Sequence, residues 1–171
     1  MMSGNRTNEV VDIINHFFVE QNIMHELLVA SDRFVYRCGF TSHSSRYSNL
    51  GFELVVDESA MQSYVFLPTQ FTINEDVVAK YISRINPEFK LGRFQFNCRN
   101  GHIAFHFGQR IDVVVKGMSR QILMDQIYYP LTIMDRFADG FFDLAQGTIS
   151  LEEAANKYLS ANHASDDKNA N

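Results

Sequence analysis

Tryptophan is absent from this sequence, cysteine occurs twice and proline three times, and the shortage of cysteine already narrows the class of molecule. Cys38 and Cys98 lie far apart without Cys-x-x-Cys spacing, which favours separate thiols over a disulfide or metal pair. Both fall in alternating segments at positions shared with large aromatics, which predicts buried thiols. No apolar run approaches the roughly 18 residues of a membrane span. Residues 1–7 are polar and short, and the apolar positions after them are interrupted by Asp12, Asn15 and His16, which is no signal peptide. A soluble, cytoplasmic protein is expected. The glycines are scattered singly, and neither GxxxxGK[ST] nor GxGxxG follows a strand, so nucleotide binding has no support. A formal charge of -5 and a pI near 5.6 disfavour a general nucleic-acid binder, which needs a net basic face to release counterions. No repeat or internal linker breaks the chain, which predicts one domain over 8–161, between a disordered N-terminus (1–7) and a polar, disordered tail (162–171).

What is present is material for one core: 46% hydrophobic residues, fifteen of them phenylalanine. At roughly 25 cal/mol per Å² of buried apolar surface, those rings lead the stabilising contributions. Val10, Val11, Ile14, Phe17 and Phe18 recur at helical intervals, predicting a first helix over 8–20. Residues 24–30 are apolar but too short to classify as strand or irregular cover. The period then changes to two: Phe34, Tyr36, Cys38 and Phe40 alternate with Arg33, Val35 and Arg37, as in a strand with one wetter face. Residues 47–57 and 61–67 continue an antiparallel meander whose register no turn signal fixes. Pro68 closes it. Thr72 to Glu75 reads as a capping box opening a helix with Val77, Val78, Tyr81, Ile82 and Ile85 on its buried stripe, ended by Asn86-Pro87.

Arg93 to Val115 reads as a β-hairpin. Asn100-Gly101 suits a two-residue type I′ turn, pairing Arg99 with His102, Cys98 with Ile103, Phe96 with Phe105 and Phe94 with Phe107. The last three pairs share an apolar face. Gln95, Asn97, Arg99, His102, Ala104 and His106 share the other. The second arm keeps odd positions apolar through Ile111, Val113 and Val115, with Gly108-Gln109 as a bend or bulge. A long helix over 119–145 follows, with Leu123, Ile127, Leu131, Met134, Phe137, Phe141 and Ala145 on one face and a kink at Pro130. Ser150 to Glu153 is a second capping box, opening a short final helix to about 160.

The expected class is α+β: helix, three-stranded antiparallel meander, helix, β-hairpin and long C-terminal helix, with helices on one face of the sheet. This order, over about residues 9–146, resembles the fold shared by class I type III secretion chaperones and the bacterial YbjN-like family. The segment GRFQFNCRNGHIAFHF carries the closest local likeness, together with the proline-containing helix after it. The resemblance implies a homodimer and binding of an extended segment of another protein, or a regulatory role, and it transfers no functional residue.

Candidate chemistry fares poorly. His25-Glu26-Leu27-Leu28-Val29 begins like a zinc-protease helix, but Val29 stands where the second histidine belongs. The hairpin pattern separates Cys98 from His102 and His106, and the two histidines lie roughly 13 Å apart on one strand, so solvated imidazoles are expected and no metal or cofactor is. Ser42, His43, Ser44 and Ser45 form a polar loop without a positioned base or oxyanion hole. Paired acids at 57–58, 75–76 and 152–153 suit a turn and two helix starts. A single-stranded RNA surface fails because the phenylalanines face the helices.

A non-enzymatic protein-binding domain is therefore expected, its partner surface formed by Arg37, Gln95, Asn97, Arg99, His102 and His106. The alternative is a small-molecule-sensing or enzymatic domain with a pocket between the helices and the sheet.

Overall fold

A computed structural model describes residues 3–30, 33–44, 46–111 and 120–166. The elements, in chain order, are α1 (Ser3–Glu20), β1 (Glu26–Ala30), β2 (Arg33–Thr41), β3 (Asn49–Asp57), β4 (Ala60–Gln70), α2 (Glu75–Ile85), β5 (Arg93–Asn97), β6 (His102–Arg110), α3 (Arg120–Ala145) and α4 (Leu151–Asp166). All strand pairs are antiparallel, and the six-stranded sheet runs β1-β2-β3-β4-β6-β5. The α+β layout expected from the sequence is present. The segment left open at 24–30 adds an edge strand to the meander.

Period-two burial builds the sheet. In β3, Leu50, Phe52, Leu54 and Val56 are buried; in β4, Met61, Ser63, Val65 and Leu67 are. The residues between them form the outer face. On the inner face lie α1 and α3, with α2 and α4 packed beside α3. Phe94 contacts Phe105 at 4.9 Å, Phe137 at 5.8 Å and Phe141 at 5.2 Å between ring centroids, all edge to face. These rings join sheet to helix where the expected pocket would lie. Gly140 allows a close helix junction, since a Cβ there would meet the Tyr81 hydroxyl at 2.7 Å and the Tyr158 ring at 3.0 Å.

Several boundaries differ from expectation for identifiable reasons. α1 begins at Ser3, inside the segment assigned to a disordered N-terminus, and α4 continues to Asp166 within the expected tail. Residues 1–2 and 167–171 lie outside the described residues. At residues 72–75 no capping box forms: α2 is capped by Asn74 in the left-handed region (φ 56°), a conformation asparagine tolerates. Its amide instead donates to the Ala145 carbonyl at 2.9 Å, satisfying an orphan acceptor at the end of α3. The second capping box is present, with Ser150 N–H donating to Glu153 at 2.7 Å and Glu153 N–H donating to Ser150 Oγ at 3.2 Å.

The bulge falls on β4 rather than at Gly108-Gln109. Phe66 pairs with Ala104 and Gln70 with His102, so four steps of β4 oppose two of β6 around Pro68, which cannot donate to a ladder. β6 ends at Arg110, and Val113 and Val115 lie outside the described residues. α3 is one helix through Pro130.

Candidate outer-face groove

Asn97 decides the geometry at the hairpin tip. Its side-chain oxygen accepts from Arg99 N–H at 3.0 Å, while its carbonyl accepts from Asn100 N–H at 3.2 Å and Gly101 N–H at 2.7 Å. That network makes a four-residue loop of 98–101, with positive φ at Gly101 (70°) and not at Asn100. A type I′ turn would need both. The observed pairs are therefore Phe94 with Phe105, Phe96 with Ile103 and Asn97 with His102, two residues from the expected register.

A shift of two preserves the faces, because side chains alternate with period two. Phe94, Ile103, Phe105 and Phe107 are buried, Phe96 is half-buried, and Gln95, Asn97 and Ala104 lie on the other side. The exception is Cys98. It leaves the strand for the loop and is exposed, so the expectation of two buried thiols is corrected at Cys98, while Cys38 is half-buried. Arg99 moves into the loop with it.

The outer face holds a groove of about 930 Å³. Val55, Tyr64, Phe66 and Ala104 form its floor, Arg33, Glu53 and Asp57 one flank, and the hairpin the other. Of the six residues expected at a partner surface, Gln95, Asn97, Arg99 and His102 line this groove. Arg37 sits on the same face but is paired with Glu53 at 2.8 Å. His106 lines an adjoining groove of about 500 Å³ with Arg93, Gln62 and Arg110.

The two histidines are less exposed than the sequence led us to expect. His102 is half-buried, with Nε2 3.2 Å from the Gln70 amide nitrogen. His106 stacks on Tyr64 at 4.7 Å, its Nε2 3.2 Å from Gln62 Oε1, which also accepts from the Tyr64 hydroxyl at 3.1 Å. Burial first, and the Arg93 guanidinium second, hold the imidazole below its ordinary pKa. At Asp57 burial pushes the carboxyl up, but hydrogen bonds from Ser59 and Ala60, with Arg33, more than reverse it and leave the group below the usual range.

Sequence reasoning passed over Gln62, Tyr64 and Phe66. Their signal is the alternation with Met61, Ser63 and Val65 along β4, which names a face only once the register is known. Arg93 has the same parity as Gln95 and was legible. Among the described residues no group of three or more His, Cys, Asp or Glu is placed to hold a metal ion. His25 to Val29 contains no helix, since Glu26 to Val29 belong to β1.

Ser42, Ser44 and Arg46, in the segment between β2 and β3, are pinned rather than loose. Ser42 donates to Asp135, Ser44 donates to Asp139 at 2.9 Å, and Arg46 pairs with Asp143. Every second loop residue thus meets every fourth residue of α3. A helix advances about 6 Å in four residues, a step two residues of chain can span. This is an anchor made of satisfied groups.

Comparison of the chain with protein-family models, with curated proteins and with solved structures gives no match. Among the described residues no helix is long and apolar enough to cross a membrane.

Proposed function

We propose that this chain is a non-enzymatic binding domain whose outer sheet face takes an extended segment of another polypeptide. The observation that carries the reading is the division of the sheet. Among the described residues every helix packs on one face and none covers the other, which holds a groove with half-buried apolar side chains Val55, Tyr64 and Phe66 on its floor and amides at its rim. A groove of about 930 Å³ suits a peptide whose alternate side chains point into it. The likeness in element order to secretion chaperones and YbjN-like proteins agrees with this role and is itself part of the proposal.

A photo-crosslinking residue placed at Gln95 is expected to yield polypeptide adducts in cells, while the same residue at Lys80, on the exposed surface of α2, yields few. Equal labelling from both positions would count against the reading, as would tight binding or turnover of a small metabolite.

Two-fold assembly belongs to the same proposal, and the two sheet edges support it. Asn86 covers the edge at β5, donating to Phe94 C=O at 3.0 Å and accepting from Phe94 N–H at 2.8 Å. β1 has no such cover among the described residues, and its Val29 is 69% exposed. Open strand edges are templates for pairing. Light scattering is expected to give twice the chain mass, reverting to one chain mass in Val29→Lys. A cytoplasmic setting is supported by Cys98, a free and exposed thiol.

A further inference from the structure

The two outer-face grooves share Gln62 as a wall, so they form one surface from the β2–β3 side of the sheet to the end of β6. Its charge balance opposes that of the chain. Arg33, Arg93, Arg99 and Arg110 line it against Glu53 and Asp57, in a protein of formal charge -5. Both acids are already engaged. Glu53 holds Arg37, and Asp57 Oδ1 accepts from Ser59 N–H at 2.7 Å, Ser59 Oγ at 2.6 Å and Ala60 N–H at 2.9 Å. Arg93 and Arg99 make no ion pair among the described residues.

The permanently charged cations lining the surface are all guanidinium groups. Their planar fork of donors matches the paired oxygens of carboxylate and phosphate, which a lysine ammonium contacts only as a point charge. An acidic peptide and a single-stranded nucleic acid both carry such oxygens, and the aromatic rings separate the two. Nucleobases need open ring faces to stack on. Here the Tyr64 face is taken by His106 at 4.7 Å, and Phe66 lies stacked alongside Tyr64 at 6.3 Å with planes 16° apart. His106, Tyr64 and Phe66 thus stand in one row, with Tyr64 in the middle, on a half-buried floor suited to aliphatic side chains.

Resting on the polypeptide-binding reading above, we infer that the segment received here is acidic: an extended run in which Asp or Glu alternates with apolar residues. Its carboxylates meet Arg93 and Arg99, and its apolar side chains meet Val55 and Phe66. β5 from Arg93 to Asn97 spans roughly 13 Å, so about six residues of partner reach both arginines.

The test uses the full chain and fluorescein-labelled decapeptides alternating Glu-Val, Ser-Val or Lys-Val, with decauridylate RNA as a fourth probe, read by anisotropy. The Glu-Val peptide is expected to bind most tightly and to weaken about tenfold between about 50 and about 300 mM salt. The double variant Arg93→Glu/Arg99→Glu is expected to lose at least tenfold in affinity for Glu-Val and to gain affinity for Lys-Val. That reversal shows the variant still folds. Equal binding of Ser-Val and Glu-Val overturns the acidic preference and leaves the polypeptide reading standing. Failure of every peptide overturns both, and so does binding of RNA in preference to all three.

Discussion

The Ser63 hydroxyl donates a 2.7 Å hydrogen bond to the main-chain carbonyl of Gln126, the acceptor that Pro130 leaves without its helical partner. Proline has no N–H to give residue i−4. Ser63, fully buried on β4, supplies the missing donor across the sheet–helix interface. The Gln126 amide nitrogen returns contacts to Ser63 Oγ at 2.8 Å, Phe107 C=O at 3.2 Å and Met61 C=O at 3.3 Å. A polar island thus fixes α3 against β4 and β6 inside an apolar layer.

Ser63→Ala strands that carbonyl and should cost about 2 kcal/mol in urea unfolding, the range for an unsatisfied buried acceptor. In a Pro130→Ala background the helix regains an N–H at residue 130, and the same change should cost less than half as much. Strict additivity of the two substitutions would show that the hydroxyl is not the substitute donor.

Asp143 is the buried end of the loop anchor, its side chain 8% exposed while Arg46 and Lys157 reach it from outside at 33% and 60%. Removing the buried carboxylate leaves Arg46, Lys157 and the Tyr158 hydroxyl without their common acceptor, while Thr148 keeps the main-chain carbonyl of residue 143 at 3.0 Å. Asp143→Ala is expected to cost about 2–3 kcal/mol, and Arg46→Ala about 1 kcal/mol because solvent screens the exposed end. Amide exchange should accelerate at Ser44 and Arg46 before it does in β3. Equal costs for the two variants would contradict this division.

The pH dependence near neutrality belongs to His106. Its folded pKa lies below the ordinary imidazole value, so as pH falls through about 6.5 the unfolded chain takes up the proton first and stability declines. Above that range both states are neutral and the residue contributes no slope. Asp57 acts lower: its folded pKa is depressed, so its stabilisation is present above the usual carboxylate range and is lost as pH falls through the folded value. His106→Gln should flatten the stability profile between about pH 7 and pH 5 while leaving the acid limb in place. An unchanged slope there would remove His106 as the cause.

Gly101 tests the loop assignment. A Cβ at this residue would sit 2.7 Å from the Phe71 carbonyl oxygen and 2.9 Å from Phe71 N, and φ is +70°. Backbone cannot yield as a side-chain tip can, and Phe71 N–H also donates to Gly101 C=O at 2.8 Å. Gly101→Ala should therefore cost 2 kcal/mol or more, about twice what the conformation alone would exact. Asn97→Ala, which removes the side-chain acceptor for Arg99 N–H, should cost about 1 kcal/mol. A neutral Asn97→Ala would favour the two-residue turn.

That hairpin shows how far the sequence could be read. Alternation from Phe94 to Phe107 assigns each strand residue a face, because burial follows period two whatever the loop length. It does not fix loop length, since Asn-Gly serves both a two-residue turn and the end of a four-residue one, and only the tertiary contact with Phe71 and the Asn97 network select between them. The helices were legible where apolar spacing ran long, as from Leu123 to Phe141. Caps were legible only where the helix began at the expected residue: Ser150 caps α4 as its box requires, whereas α2 is capped two residues beyond Thr72, at Asn74, whose amide holds Ala145. The groove was half legible. Its hairpin flank follows from a strong pattern, while its β3–β4 floor depends on a register that Asp57 and Ser59 set through side-chain hydrogen bonds.

Cys98 gives the simplest check on the hairpin tip. Strand alternation alone would bury it beside the phenylalanines, whereas the loop leaves it exposed; Cys38 stays half-buried on β2, its thiol pushed up to about 11 by burial. Thiolate is the reactive form. Folded protein at neutral pH should therefore show one fast-reacting thiol towards a chromogenic disulfide and one at least tenfold slower, and Cys98→Ser should abolish the fast phase. If both thiols react only on unfolding, the tip is buried, and the groove loses its Arg99 flank along with it.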